Sequence, residues 1–187
     1  SFMLILAVTV SEGRKAGISS SIGHGIGVFL YALTATAGLS ALLKASIMVF
    51  TLIKLMGALF LMYLGFRILK SAFKDNSQIA YKKSERGGHN RFWDGFIIAV
   101  LNPKIAVFFL SLFSQFLIAG QSSLTYLAMA VMAGFIDTLA YLLMVILAST
   151  SWLSNFLFNY KKLVEVTFGL LLCFLSASLF IKMMLYS

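Results

Sequence analysis

The chain has 187 residues, 60% of them apolar and 11% charged, with a mean hydropathy of +0.96 and a net charge of +9. Soluble domains are about 45–50% apolar and about 25% charged, and a sphere of this size cannot hide the surplus, so a single water-soluble domain is excluded. At about 20 apolar residues per membrane-crossing helix, six spans consume roughly 120 residues and leave room for connections but not for a soluble catalytic domain.

Apolar runs recur along the chain at 1–10, about 22–43, about 46–66, about 95–118, about 124–150 and about 163–186. Each run after the first reaches about 20 residues and is long enough to cross the hydrocarbon as a helix. The first, Ser1 to Val10, is too short to span. It has no basic region before it and no small-residue cleavage site after it, so it does not read as a signal peptide. It reads as the second half of a helix whose beginning precedes Ser1. The expected fold is an all-α membrane protein of six transmembrane helices, the first one partial. Two inverted three-helix repeats, 1–70 and 94–187, flank a loop at 71–93 within one transmembrane domain. Internal matches at an offset of 112 residues are thin: Gly57 with Gly169, Gly65 with Ala177 and Lys70 with Lys182. Inverted repeats are nevertheless a common plan of secondary transporters, with the site at mid-membrane between the halves.

The basic residues fall on one side of such a topology. The third loop and its flanks carry Arg67, Lys70, Lys74, Lys82, Lys83, Arg86 and Arg91. The first loop adds Arg14 and Lys15, and the fifth adds Lys161 and Lys162, eleven in all. The opposite side has Lys44 and Lys182. The positive-inside rule puts the first, third and fifth loops in the cytoplasm and the C-terminus outside. The charge therefore reads as a topology signal, not as a nucleic-acid surface. Cys173, the single cysteine, lies in an apolar run, which excludes an intramolecular disulfide and a Cys-based zinc site.

Polar groups inside spans are costly and mark functional candidates. Asn102-Pro103-Lys104 sits about eight residues into the fourth span, roughly 12 Å deep. Asn caps free N–H groups and Pro suits a first helical turn, so the pattern predicts a broken helix whose second half begins at Pro103. That start carries a partial positive charge, Lys104 adds a full one, and a carboxylate suits the place. The alternative is a plain proline kink with Lys104 snorkelling. Lys104, Phe108, Ser111 and Gln115 share one helical face.

Asp137 is the only carboxylate well inside a span, on a face with Gly134, Thr138 and Tyr141. It either carries a proton, receives an ammonium group, or forms a structural salt bridge to Lys104 or Lys54. In the third span Lys54, Ala58, Leu61 and Gly65 share a face with Gly57 beside it, and the small residues read as helix packing. Gly23-His24-Gly25-Ile26-Gly27 contains a Gly-x-x-x-Gly pair and also reads as packing. His24 is placed at the membrane entry, as a structural residue rather than a metal ligand. No strand precedes these glycines, and no metalloprotease, Walker A or nucleophile-elbow pattern occurs, so neither a cofactor nor enzymatic chemistry is expected.

Four stretches together resemble the LysE/RhtB family of bacterial inner-membrane amino-acid exporters. They are Glu12-Gly13-Arg14-Lys15-Ala16-Gly17, the run from Lys54 through Gly57 and Ala58 to Gly65, and Gly134 to Tyr141 with Asp137. The fourth runs from Phe92-Trp93-Asp94-Gly95-Phe96 through Leu101-Asn102-Pro103-Lys104 to Phe108-Phe109. The resemblance implies export of amino acids or close derivatives, with the proton gradient as the driving force. There are departures. The family's Pro-Gly-Pro motif would immediately precede Ser1, a Pro often found before Gln115 is Ser114, and the usual Tyr of the third span is Phe60.

A zwitterion needs a positive and a negative partner at one depth. The candidate substrate-binding residues are therefore Asn102, Pro103, Lys104, Asp137, Tyr141 and Lys54. The candidate packing glycines are Gly23, Gly27, Gly57, Gly65 and Gly134. The partners expected are a small amino-acid substrate, the lipid bilayer and a coupling proton, with no nucleic acid and with a homo-oligomer left open. Two other classes are weighed. A metal or small-ion exporter needs several carboxylate, His or Cys groups in its spans, and only one interior Asp is present. A non-transporting scaffold predicts no polar face at mid-depth, against Lys104 and Asp137.

The topology is testable. In a Cys173→Ser background, Ser84→Cys should resist an impermeant thiol reagent in intact cells and react after permeabilisation; labelling in intact cells would invert the assignment.

Overall fold

The computed structural model describes residues 1–73, 90–118, 120–148 and 151–185, without the side chains of 2, 3, 151–161 and 184. Lys74, Lys82, Lys83, Arg86 and His89 of the basic loop lie outside the described residues. The described elements are helices: α1 (Phe2–Glu12), α2 (Arg14–Ala45), α3 (Ile47–Ala72), α4 (Arg91–Val100), α5 (Pro103–Ser114), α6 (Ser123–Ala148) and α7 (Ser151–Leu185). Their ends follow local chemistry. Gly13 joins α1 to α2 at a φ of 89°, a conformation that glycine adopts without a Cβ penalty. Ser46 starts α3, its hydroxyl accepting from the Val49 N–H, and Asn90 starts α4 by accepting from the Phe92 N–H.

Four helices carry stretches long and apolar enough to cross a membrane: α2, α3, α6 and α7 from Lys162 to Met183. The pair α4 and α5 is long and apolar enough only when taken together, and is bent by 58° at the break between them. The remaining helix, α1, has 11 residues, about 16 Å at 1.5 Å per residue, and does not reach across. Met56, Phe66, Phe135 and Phe174 on the outer faces are each more than half exposed. Such a surface is a liability in water and suits hydrocarbon, so the chain is a multi-pass membrane protein.

The second span is longer than its apolar run. The run begins near residue 22, whereas α2 begins at Arg14, because Ser19, Ser20 and Ser21 are carried inside the helix. The Ser21 hydroxyl donates to the Gly17 carbonyl, which satisfies it within its own turn.

Helices in lipid gain little from the hydrophobic effect against each other, so close packing through small residues does the work. Gly23 faces the Phe92 carbonyl, and Gly95 faces the Ser20 carbonyl, so α2 and α4 approach backbone to backbone. Gly27 meets Ala99 on the same seam. On another face of α2, Gly25 and Gly134 each lie against the other's carbonyl, binding α2 to α6. Gly65 and Gly169 do the same between α3 and α7, with Cys173 beside them. Gly57 lies against Ser111 and Ser114 at the contact of α3 with α5. Gly169 thus meets Gly65, not the Gly57 that an offset of 112 aligns with it.

Three apolar clusters fill the spaces between these seams. One joins Leu39, Phe50, Phe113, Leu117 and Ala130. A second joins Ile5, Leu6, Met144 and Val145, and a third Leu61, Leu64 and Leu172. The basic ends share one side. Arg91 donates from Nε to Glu12 Oε2 at 2.6 Å, from Nη2 to Glu12 Oε1, and from Nη1 to Asp94 Oδ2 at 2.7 Å. This ties the first loop to the start of α4. Lys162, the twelfth residue of α7, places its ammonium 4.8 Å from the Phe73 ring centre at the end of α3.

The α2–α4 seam should not accept a methyl group. A Cβ at Gly95 would collide with the Ser20 carbonyl, whereas one at Gly38 meets nothing within 4 Å. Gly95→Ala should lose about 1–3 kcal/mol on unfolding in detergent. Gly38→Ala should be neutral or gain up to about 1 kcal/mol from helix propensity. Equal midpoints for the two variants would refute the backbone contact.

Candidate functional site

The site begins with the glycine contact between α2 and α6. The Thr138 hydroxyl donates to the Gly134 carbonyl at 2.7 Å and fills the space a Cβ of Gly25 would need. With the backbones this close, the neighbouring side chains meet. His24 Nδ1 lies 2.7 Å from Asp137 Oδ2. The His24 side chain is 2% exposed and that of Asp137 22%. The Tyr141 ring sits edge-on to the imidazole with centroids 4.7 Å apart. Gly134, Asp137, Thr138 and Tyr141 therefore all turn toward α2.

The pairing corrects one expectation. Neither Lys104 nor Lys54 is the partner of Asp137; His24 is. His24 lies ten residues into α2, about 15 Å from the helix start. The sequence did hold one signal: a histidine between two glycines is placed where helices touch most closely.

The second part of the site is the helix break. The Asn102 side chain accepts from the Lys104 N–H at 3.0 Å, and Pro103 occupies the first turn of α5. In an unbroken helix that N–H would go to the Val100 carbonyl. The Tyr31 hydroxyl takes its place, donating to Val100 O at 2.5 Å from α2. A membrane helix can be interrupted only where its freed backbone groups find partners, and here a neighbouring helix supplies one. The N–H groups of Lys104, Ile105 and Ala106 are all taken by Asn102, so the start of α5 offers its positive dipole end rather than free donors. Asn102 is half-buried, while Pro103 and Lys104 are exposed.

Lys54 belongs elsewhere. Its carbonyl accepts from Gln115 Nε2 at 2.8 Å, at the far end of α5. Gln115 Nε2 also donates to the Ser114 hydroxyl, which in turn donates to the Ser111 carbonyl. On the other side of α3, the Ser176 hydroxyl donates to the Ala58 carbonyl at 2.6 Å. Eleven residues of α5 separate Gln115 from Lys104, about 16 Å along the axis. Ser111 and Gln115 are buried in this polar seam, and Phe108 packs against Leu61, Leu64 and Leu172. The face predicted from Lys104 to Gln115 is thus an α3 contact over most of its length. Among the described residues no three His, Cys, Asp or Glu side chains group to hold a metal ion.

The sequence matches the LysE type translocator family over residues 1–183. The chain belongs to this family. An uncharacterized membrane protein of Pseudomonas aeruginosa is 30% identical over 142 residues, covering 73% of this chain and 66% of the relative. One from Bacillus subtilis is 26% identical over 91% of this chain and 85% of its own length. The leucine efflux protein of Salmonella typhimurium is 28% identical over 88% of this chain and 77% of its own. No solved structure matches. LysE type translocators are transporters, so the buried polar groups belong to a transport protein.

In this translocator the break rests on two bonds. Asn102→Ala should cost about 1 kcal/mol through loss of the cap. Tyr31→Phe should cost about 1–3 kcal/mol by leaving the Val100 carbonyl unpaired. Unfolding midpoints in detergent measure both, and parent-like stability in both variants would mean that the helix is not broken at this point.

Proposed function

We propose that the protein exports an amino acid or a close derivative across the bacterial inner membrane. Export proceeds by alternating access and is coupled to inward movement of protons. The observation that carries this reading is the carboxylate of Asp137 turned inward between α2 and α6, in a chain whose α4–α5 pair also breaks at the capped helix start of Asn102-Pro103-Lys104. A zwitterion presents an ammonium to the first and a carboxylate to the second. Asn102, Pro103 and Lys104 receive the carboxylate through the helix dipole and the Lys104 ammonium. Asp137 receives the ammonium, with Tyr141 beside it. Substrate similar to that of the leucine efflux relative fits the single carboxylate and the apolar clusters around it. Lys54, at the other end of α5, serves as a polar contact along the exit path.

Alternating access requires two halves that rock about the site. Reciprocal glycine pairs support an inverted repeat of 1–70 and 94–187. In Gly25–Gly134 and in Gly65–Gly169 each residue faces its partner's carbonyl, as residues near a two-fold axis do. With 71–93 cytoplasmic, the Arg91–Glu12 pair closes the cytoplasmic side.

Vesicles containing the full-length protein and loaded with single amino acids, with and without a pH gradient, test substrate and coupling together. Asp137→Asn keeps the shape and removes the charge. It should leave the amount of folded protein unchanged and abolish gradient-driven efflux. Reduced folding with normal efflux per molecule would make Asp137 a structural residue.

A further inference from the structure

We propose that the coupling proton resides on His24 Nε2, with Asp137 as the counter-ion that orients the imidazole. This rests on the proton-coupled export proposed above and assigns its proton site. An ionised carboxylate only accepts hydrogen bonds, so its 2.7 Å contact assigns the proton of the neutral ring to Nδ1 and a lone pair to Nε2. Nε2 is buried and has no hydrogen-bond partner among the described residues. Buried polar atoms are otherwise almost always satisfied, and an orphan lone pair facing a carboxylate-held ring is a proton acceptor.

The surrounding groups favour this division of labour. From α6 come Asp137 and the edge of Tyr141. From α1 come Ile5 and Leu6, in the apolar cluster against which Tyr141 packs. On α4, Phe92 and Ala99 pack against Gly23 and Gly27, while Arg91 and Asp94 pair with each other and Arg91 with Glu12. On α3, the Lys54 carbonyl is engaged at Gln115.

The exchange balances. With a proton on Nε2, imidazolium and carboxylate form a neutral pair. A substrate ammonium arriving from the cytoplasm displaces the ring from Asp137, and one carboxylate cannot neutralise two cations. The Nε2–H bond breaks and the proton passes to cytoplasmic water, leaving a neutral ring and a neutral ammonium–carboxylate pair. After the substrate leaves on the outer side, Nε2 takes a proton from that side. One proton moves in for each ammonium moved out.

His24→Gln retains a donor toward Asp137 and cannot take up a proton. In vesicles, stimulation of efflux by an inward proton gradient should disappear, while substrate counterflow at matched pH stays within about threefold of wild type. Gradient-driven efflux persisting in the variant would overturn the proposal, as would loss of counterflow in folded protein. A second measurement does not depend on that variant folding. His24 and His89 are the only histidines, so a His89→Gln background with nitrogen-15 histidine isolates one ring. The neutral ring should be protonated at Nδ1 and bare at Nε2. A ring bare at Nδ1 would overturn the assignment. Wild-type protein that exports no amino acid overturns the proposed function, a result distinct from gradient coupling that survives His24→Gln.

Discussion

Everything in this protein depends on how closely α2 approaches its neighbours. In lipid a leucine surface gains nothing by leaving hydrocarbon for another leucine surface, so helices associate where backbones can touch. In α2, Gly23 and Gly27 face α4, and Gly25 faces α6. A methyl group on the inner glycines would push a neighbouring backbone away. The same approach lets short polar side chains meet. The Thr138 hydroxyl occupies the gap at Gly25, and His24 reaches Asp137 at 2.7 Å. The packing device and the polar site are one construction, with the functional side chain set between the two glycines that make room for it.

The helix break obeys the complementary constraint. A bilayer offers no water to a freed carbonyl, so an interruption at Asn102-Pro103 has to be repaired within the protein. Asn102 repairs the start of α5 from within the chain, and Tyr31 repairs the end of α4 from α2. The central helix therefore both packs α4 and completes its hydrogen bonding. What remains is the positive dipole end of α5, turned by the 58° bend away from the axis of α4.

Much of this was legible along the chain because the relevant chemistry is local. Hydrocarbon thickness turns long apolar runs into spans, and an Asn-Pro pair within a span has few conformations other than a capped restart. The small residues of α2 and α3 announced packing faces for the same reason. The Gly134 to Tyr141 face was readable from helical spacing alone, since all four residues turn toward one neighbour.

Partner choice was not local. Periodicity gave Asp137 an inward face but no identity for the group it meets, and charge complementarity pointed to lysines. Lys54 is held beside Gln115 by the α3–α5 contact, and the histidine wins because glycine contacts on two faces of α2 bring it to the right height. Likewise the sequence offset of 112 paired Gly57 with Gly169, whereas helix crossing pairs Gly169 with Gly65. By itself the sequence determined the membrane class, the long apolar helices and the break, because solvent and backbone geometry act on each segment separately. The tertiary structure alone decided which side chains share a site, because that depends on the depth and rotation at which separate helices cross.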